Sequence, residues 1–551
     1  MGKKAKRESN FLVQGSILAV ASIISRLIGL LYRIPLKSII GDIGNDYYGT
    51  AMEIYSILLL ISSYSLPLAV SKLVSTRVAK GQRKNAYRIF KGALIFAAIS
   101  GAAAGLIVYF GADVITIYIV RTPLSVFALR VLAPTLFVVA VLGVIRGFFQ
   151  GMGTMMPSAV SQLLEQVINA VISVWSAYML YQYGAKIGAV LGNPATYAEA
   201  YGAAGGTIGT GAGALAGLLF TLFVLVIYRP VFKKMSQRDR SKNVESYGAI
   251  FYVLIITIIP VLLSTTIYNI TSFLDMGTFK HIAALQGYQA KEYSTMWGIY
   301  VGEYKVLVNV PIAIASSVSA SSVPSLSTAF AAKDIPQVKR KVAYSIRFIM
   351  VIAIPCAVGM GVLASPILQL LFHDNRPLTA HMMQIGAVSI VFYSLSTLSN
   401  GILQGINRMS VPVKNAVIAL VLHIGVLAAL MYGMDLNIYA VVWANTFFSF
   451  LMCILNGMAI RKYLRYHQEV ARTFVIPSIC AAVMGVTVYG TYYFLMKTVK
   501  INAVSTLASI FVGVGVYGIL LLLLRGLREN ELRSFPMGGL IIKIAKKLHL
   551  M

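Results

Sequence analysis

Apolar stretches of about 20 residues recur from one end of the sequence to the other, and short polar connections separate them. Each stretch is long enough for a helix to cross the hydrocarbon core of a bilayer, which is about 30 Å thick. A backbone in lipid must satisfy its own hydrogen bonds, so these stretches are predicted to be helices. Charged residues make up 12% of the chain, against roughly 25% in soluble domains. An all-α polytopic membrane protein is therefore predicted.

The predicted spans number about fourteen. Their approximate bounds are 11–34, 48–70, 88–112, 125–146, 158–181, 206–229, 247–275, 296–322, 343–372, 379–404, 412–432, 438–460, 472–496 and 502–524. Lys and Arg concentrate in alternate connections such as "RPVFKKMSQRDRSK", whereas the intervening connections such as "YGMDLN" carry few cations. The positive-inside rule then predicts that both chain termini are cytoplasmic. This asymmetry accounts for most of the net charge of +29. The sequence contains no basic, aromatic-rich module of the kind that binds nucleic acid, so nucleic-acid binding is not predicted.

Two segments of the sequence occur twice. Residues 64–89 align without gaps on residues 321–346 at an offset of 257, and the match keeps a Pro and a late "RK-AY-I" pattern. Residues 147–157 match residues 401–412 at an offset of about 254, with one inserted residue. An even number of spans separates the copies, so both share one orientation, as in transporters built from parallel repeats.

The repeat predicts two pseudo-symmetric lobes of six helices each. Residues 1–240 would form the first lobe and residues 241–465 the second. Residues 466–551 would add a terminal helix pair and an amphipathic cytoplasmic tail. Such lobes are expected to enclose a central site and to rock around it, so that the site faces each side of the membrane in turn.

Four basic residues lie within or at the end of apolar spans, where a charge costs roughly 2.5–3.5 kcal/mol. Arg26 lies well inside the first span, and Arg33 follows two helical turns later near the same face. Lys72 closes the second span, and Lys305 lies roughly 14 Å into the eighth. We predict that these cations converge between the lobes and bind an anion. Arg in particular suits phosphate because its planar group offers a fork of donors.

Each of these cations also has a structural interpretation. Lys72 would then be an anchor at the cytoplasmic surface, and Arg33 would extend to the outer interface. Arg26 and Lys305 would belong to buried ion pairs, although Glu303 lies on a different helical face from Lys305. The residue pattern leaves both interpretations open.

Polar residues also recur on single helical faces. In the fifth span Gln162, Glu165, Gln166 and Asn169 follow an i, i+3, i+4, i+7 pattern, which suits either a cavity wall or hydrogen bonds between helices. In the seventh span Asn269 and Asp275 are candidate cavity or coupling-ion residues, as is Glu165. Solvation at the helix end is the alternative for Asp275.

Neither a cofactor nor a metal is predicted. Cys356, Cys453 and Cys480 lie in apolar stretches without paired spacing or a neighbouring His. The sequence lacks a "GxxxxGK[ST]" phosphate loop, so energy would come from the membrane potential, from a coupling ion such as Na+ or H+, or from consumption of the cargo outside.

Several motifs resemble those of the multidrug/oligosaccharidyl-lipid/polysaccharide (MOP) exporter superfamily. They are the "SRLIGLLYRIPL" opening, the "GNDYYG" turn, "PLAVSK", "VPSLS" and the paired "GxxQG" connections, and the likeness spans essentially the whole chain. Within the superfamily the chain is similar to the polysaccharide-transporter branch of stage V sporulation protein B and YtgP-type proteins. That branch is related to the lipid II flippase MurJ.

The resemblance implies roles for individual residues. Arg26 and Arg33 match basic residues that line a cationic central cavity in MurJ-like proteins. Lys72 and Lys305 stand where those proteins carry Arg, which keeps the charge and loses the bidentate fork. Asp46 is similar to an acidic residue after the first span and joins the candidate cavity or coupling residues. The last two helices would form a groove for a polyprenyl tail.

The function expected from this resemblance is that of a monomeric flippase in the bacterial cytoplasmic membrane. It would move an undecaprenyl-pyrophosphate-linked cell-wall precursor, foremost lipid II, to the outer leaflet by alternating access. Its partners would be this anionic lipid-linked precursor and membrane lipids. Alternatives are another lipid-linked unit (teichoic, capsular or spore cortex) and a drug or cation exporter, which would place carboxylates where this chain has cations. A membrane glycosyltransferase is a further alternative, but the longest outer connection offers Glu199 as its only carboxylate.

Overall fold

The structure is a computed structural model of the 551-residue chain. It describes residues 20–22, 24–60, 66–237, 239 and 245–526. Within these ranges the side chains of residues 233–237, 257, 259–269, 320–321 and 324 are not described. All regular secondary structure in the described ranges is helical, which confirms the all-α prediction. The predicted cytoplasmic tail, from residue 527 onward, lies outside them.

The chain divides into two compact units, Met1–Gly302 and Glu303–Met551. The helices of the first unit are α1 (Val20–Leu31), α2 (Arg33–Leu59), α3 (Leu66–Ala79), α4 (Arg83–Val114), α5 (Val126–Gly151), α6 (Met156–Val190), α7 (Pro194–Gln237), α8 (Tyr247–Leu285) and α9 (Ala290–Ile299). A π-helical turn, Ile115–Ile119, extends α4, and a 3-10 turn, Pro123–Ser125, precedes α5.

The second unit begins within a π-helical turn, Tyr300–Tyr304, that follows α9. Its helices are α10 (Lys305–Ala331), α11 (Ile335–Val362), α12 (Ala364–Phe372), α13 (Pro377–Gly405), α14 (Ser410–Met434), α15 (Asn437–Leu464), α16 (Ile476–Thr498) and α17 (Asn502–Leu523). The lobes predicted from the repeat, 1–240 and 241–465, are defined by sequence similarity and not by packing, and they stay a prediction.

Eleven helices of the described chain are long and apolar enough to cross a membrane. They coincide with the third to sixth and the eighth to fourteenth predicted spans. The other three predicted spans, 11–34, 48–70 and 247–275, include residues or side chains outside the described part. A multi-pass membrane protein is therefore confirmed, and the number of about fourteen stays a prediction.

Small residues bring α6 and α7 into close contact. Gly205, Gly209 and Gly213 recur every four residues on α7, and a Cβ at any of them would come within 2.6 Å of α6 atoms. Membrane helices use such stripes because lipid gives little apolar driving force and tight packing must replace it. The contact fixes the orientation of α6, which carries the polar stripe predicted for the fifth span.

Helix α2 contains a sharp kink at Gly41. This residue has φ of 70° and ψ of −172°, which lies outside helical geometry and in a region that glycine adopts readily. The kink separates residues 33–40 from residues 42–59. It also places the "GNDYYG" turn of the sequence inside the protein, where Asp46, Tyr47 and Tyr48 are buried.

In the second unit α13 packs against α10, α11 and α15. Gly386, Gly401 and Gly405 of α13 lie against Tyr304, Ser319 and Leu326 respectively, where a Cβ would collide with each neighbour. The terminal pair, α16 and α17, is fastened to α11 by a hydrogen bond of 2.9 Å from the Tyr517 hydroxyl to the Val351 carbonyl. Helices α16 and α17 also pack against each other.

Candidate functional site

Arg26 projects from α1 with an exposed side chain. Helix α1 packs against the polar stripe of α6: Ser22 donates a hydrogen bond of 3.2 Å to Gln162, and Gly29 lies next to Gln166. None of the carboxylates in the described ranges forms an ion pair with Arg26. The structural interpretation of this residue, a buried ion pair, therefore does not hold within the described chain.

Arg33 has different surroundings at the start of α2. It is half-buried, it donates a hydrogen bond to Tyr32, and it interacts electrostatically with Tyr48 and Glu53. The hydroxyl oxygens of Tyr32 and Tyr48 lie 3.0 Å apart. Arg33 thus lies among phenol groups and near an acid, a setting that orients its guanidinium and partly offsets its charge.

Lys72 lies on α3 with an exposed side chain and, like Arg26, forms no ion pair with a described carboxylate. Nearby Arg77, at the same end of the unit, is paired instead. Arg77 lies 2.5 Å from Glu245, and the backbone amide of Lys84 donates to Asp239. These contacts hold the start of the connection to α8 against α3 and α4.

Lys305, Asp275 and Asn269 complete the predicted set. Lys305 is half-buried at the start of α10 in the second unit, whereas Arg26, Arg33 and Lys72 belong to the first. Convergence of the four cations therefore stays a prediction. Asp275 is 1% exposed, and α8 continues beyond it to Leu285, so solvation at the helix end, its alternative interpretation, does not describe it. The side chain of Asn269 lies outside the described residues.

Glu165 of the polar stripe is paired with Arg146, a cation that the sequence reasoning missed. Arg146 Nη2 lies 2.7 Å from Glu165 Oε2, and Arg146 Nε donates to Ser161 over 2.8 Å. Gly217 of α7 leaves room for the guanidinium, since a Cβ there would lie 3.3 Å from Nη2. This supports the helix-bonding interpretation for Glu165. The available signal was an Arg inside an apolar span, directly before the repeated "GxxQG".

Asp46 is fully buried, and its partner is a second missed cation, Lys280 of α8. Neither side chain has any exposure, and Lys280 Nζ lies 2.5 Å from Asp46 Oδ1. The ammonium also donates to Thr122 over 2.7 Å and to Thr50 over 3.2 Å, and it lies 6.0 Å from the centre of the Trp297 ring. Four separate segments of the chain thus meet around one ammonium group.

A third acidic cluster lies in the second unit, in the connection between α12 and α13. Arg376 bonds both oxygens of Asp374 at 2.7–3.0 Å and lies 3.4 Å from the buried Glu303. Burial opposes ionisation of Asp374, but hydrogen bonds from Arg376 and Thr379 outweigh it and hold the pKa of this carboxyl well below its ordinary value. The described residues contain no group of three or more His, Cys, Asp or Glu that could hold a metal ion.

Comparison with known proteins identifies the family. A family model described as "Polysaccharide biosynthesis protein" matches residues 12–330, more than half of the chain. The chain belongs to the polysaccharide biosynthesis protein family. A second model, MatE, matches residues 306–429 of this family member, which confirms the resemblance to the MOP superfamily.

Two relatives in Bacillus subtilis (strain 168) cover most of this polysaccharide biosynthesis family member. Lipid II flippase MurJ is 24% identical over 506 residues, which are 87% of this chain and 88% of MurJ. Stage V sporulation protein B is 23% identical over 542 residues, which are 97% of this chain and 99% of the relative.

Two solved structures show the same fold. An inward-facing multidrug resistance MATE family transporter of the MOP superfamily superposes with a TM-score of 0.65 at 15% identity, over 81% of this chain and 98% of that one. Lipid II flippase MurJ in an inward closed conformation gives a TM-score of 0.64 at 14% identity, over 92% and 98%. The transporter fold expected from the sequence motifs is thereby confirmed.

Proposed function

We propose that this protein is a flippase, not an enzyme, that moves an undecaprenyl-pyrophosphate-linked cell-wall precursor across the bacterial cytoplasmic membrane. Lipid II is the cargo that we put first. Two relatives support the class of cargo, since one bears the name lipid II flippase and the other belongs to sporulation, and each covers most of this chain. The family description, polysaccharide biosynthesis, agrees with a lipid-linked sugar.

The observation that carries the proposal is the exposed side chain of Arg26 on the first apolar helix. A guanidinium in the hydrocarbon region costs several kcal/mol unless water or an opposite charge solvates it. The described chain supplies no carboxylate partner, and α1 lies along the amide groups of α6, so a hydrated space beside α1 is the consistent environment. A pyrophosphate entering that space would meet the Arg26 guanidinium, which can bind a phosphate group through two parallel hydrogen bonds.

The other predicted cations would extend this site. Arg33, oriented by Tyr32, would contact the pyrophosphate two helical turns beyond Arg26, and Lys72 would attract it from the cytoplasmic end. Lys305 would join the site in the closed complex. The polyprenyl tail would stay in the bilayer while alternating access carries the head group outward, with a single chain forming the transport path and both termini in the cytoplasm.

A reconstituted transport measurement tests the proposal. Purified protein in vesicles is expected to move fluorescent lipid II between leaflets, and Arg26→Ala or Lys305→Ala should reduce the rate at least tenfold. Arg130→Ala is the matched control, because Arg130 is a partly exposed cation already paired with Asp113, and it should retain the rate. Full activity of both Arg26→Ala and Lys305→Ala would contradict the cationic site.

The same vesicles distinguish the alternative cargoes. Undecaprenyl-pyrophosphate carrying a different sugar tests whether another lipid-linked unit is preferred to lipid II, a question raised by the sporulation relative. An organic cation such as ethidium tests a drug exporter, which the MatE match over residues 306–429 favours as the second function. Movement of ethidium without movement of any undecaprenyl lipid would overturn the flippase proposal.

A further inference from the structure

Tyr32 and Tyr48 form a buried pair of phenols beside Arg33. Their side chains have 7% and 4% exposure, and their hydroxyl oxygens lie 3.0 Å apart. Arg33 donates a hydrogen bond to the Tyr32 hydroxyl. A guanidinium has only donors, so the Tyr32 oxygen accepts from Arg33 and can donate its own proton to Tyr48. The three side chains thus form a short hydrogen-bonded chain that ends at Tyr48.

The kink at Gly41 brings these residues together. In an uninterrupted helix, Arg33 and Glu53 would lie about 30 Å apart, because each residue adds 1.5 Å. The two side chains nevertheless interact electrostatically. The chain therefore turns back on itself at Gly41, where φ is 70°, a value that glycine adopts readily. Tyr48, on the returning segment, reaches the start of α2 for this reason.

Packing against α7 holds the Tyr48 ring in place. A Cβ at Gly206 of α7 would lie 3.2 Å from Tyr48 Cδ2 and 3.1 Å from Leu36 Cδ1, so the absence of a side chain there makes room for both. Helix α7 is in turn packed closely on α6 through its glycine stripe. The Tyr48 hydroxyl is therefore presented to Tyr32 by a ring that a tightly packed part of the first unit supports.

The internal repeat provides a second, independent observation about Tyr48. The offset of 257 that aligns the repeated segments places Tyr48 at the register of Lys305, one of the four predicted cations. In one repeat this register thus carries a cation that is expected to bind phosphate. In the other repeat it carries the phenol that reaches Arg33 through Tyr32.

We propose that Tyr48 is a positioning residue that acts through Tyr32 and fixes the plane of the Arg33 guanidinium for a pyrophosphate. This role rests on the proposed function and deepens it, because it assigns how one of the predicted cations is prepared for the cargo. A guanidinium with a fixed plane offers phosphate two parallel hydrogen bonds, whereas an ammonium acts as a point charge. Hydrogen bonds in a chain also polarise one another, which strengthens the contact between Tyr32 and Arg33.

Chemical labelling of Arg33 tests the positioning without any cargo. Phenylglyoxal modifies accessible guanidinium groups, and mass spectrometry of the digested full-length protein gives the rate at each arginine. Tyr48→Phe keeps the ring that packs against Gly206 and removes only the hydroxyl. Labelling of Arg33 should become about threefold to tenfold faster in this variant, as expected for the loss of one hydrogen bond. Arg26, exposed on α1, is the internal control, and its rate should stay unchanged.

Binding of undecaprenyl pyrophosphate to the purified protein in detergent tests the purpose of the positioning. Tyr48→Phe should weaken binding about as much as Arg33→Lys does, because both leave a charge without an oriented fork of donors. The double variant Arg33→Lys/Tyr48→Phe should bind no more weakly than Arg33→Lys alone, since Tyr48 acts only through the guanidinium. Tyr293→Phe is the matched control. It removes a buried hydroxyl that donates to the Arg121 carbonyl over 3.3 Å, and it should bind like the parent protein.

Two results would overturn the positioning role. One is labelling of Arg33 at the parent rate in both Tyr48→Phe and Tyr32→Phe, the second variant being included in case the first fails to fold. The other is an equal weakening of binding by Tyr48→Phe with and without Arg33→Lys, which would mean that Tyr48 acts independently of the guanidinium. Failure of the parent protein to bind undecaprenyl pyrophosphate would instead contradict the proposed cationic site. The labelling contains no cargo, so these two kinds of failure are distinguishable.

Discussion

Two buried acids occupy matching positions in the two halves of the sequence, and their counter-ions differ. The offset of 257 that aligns the repeated segments also places Asp46-Tyr47 on Glu303-Tyr304. Both carboxylates have 0% exposure. Lys280, the partner of Asp46, is equally sealed, whereas Arg376, the partner of Glu303, keeps 39% of its side chain exposed.

The origin of each cation teaches more than its exposure. Arg376 stands before "PLT" where the first repeat has Thr122 before "PLS", so Glu303 takes its cation from the equivalent connection of its own repeat. Asp46 meets Thr122 in that place and takes its cation from α8, beyond the predicted lobe boundary. The Glu303 contact therefore lies within one repeat, whereas the Asp46 contact joins residues of the two predicted repeats inside the first compact unit.

The largest expected effect separates these two contacts by stability. Lys280→Met should lower the free energy of unfolding by about 3–5 kcal/mol, because Asp46 would remain buried beside an apolar chain. Arg376→Met should cost about 1–2 kcal/mol, since water already reaches that guanidinium and can replace part of it. Thermal unfolding of both variants in the same detergent measures the difference.

Restoring neutrality provides the control for that experiment. Asp46→Asn/Lys280→Met should recover most of the stability lost in Lys280→Met, because removing both members of a buried pair is often close to neutral. Equal losses of stability in Lys280→Met and Arg376→Met, or no recovery in the double variant, would contradict the distinction between a fully buried ion pair and one whose cation is partly exposed.

A second, smaller effect concerns the polar residue that stands directly before the other repeated segment in each repeat. Arg146 aligns with Asn400, and where Arg146 bonds Glu165 in the first unit, Asn400 bonds Asn456 in the second over 2.8 Å. Glu165→Leu should cost about 2–3 kcal/mol because Arg146 loses its partner in a largely buried place. Adding Arg146→Asn, which copies the second repeat, should recover at least half of that loss in thermal unfolding. A double variant less stable than the single one would contradict this account.

The smallest effect is a pH dependence in the second unit. Because the pKa of Asp374 is lowered in the folded protein, its ionised form adds stability that is complete above its ordinary pKa of about 3.9 and is lost as the pH falls toward the folded value. Asp374→Asn should therefore cost about 1 kcal/mol at pH 7, and the gap to the parent protein should narrow below pH 4. Unfolding midpoints measured from pH 7 to pH 3 check this. A gap that stays constant would assign the stabilisation to shape and not to charge.

Hydrophobic periodicity and the distribution of charge were enough to predict the helical class and most of the membrane spans. The long apolar stretches gave the helical class and eleven spans, since both depend on local composition. The stripe on α6 was recognised because its spacing follows a single helix. Its partner Arg146 was missed, because spacing along one helix says nothing about the facing helix. Lys280 was missed for the same reason, as it lies 234 residues from Asp46 and beyond the end of the seventh predicted span at residue 275.

The glycine stripe of α7 has a mechanical consequence. Gly209 of α7 lies in close contact with Ser173 of α6, so the two helices cannot slide past one another without a clash. We expect them to move as one rigid pair. Helix α6 of this pair carries Gln162, which bonds Ser22 of α1, and Glu165, which bonds Arg146 of α5. Any tilt of this helix pair would therefore move its contacts to α1, which carries Arg26, and its contact to α5 at the same time.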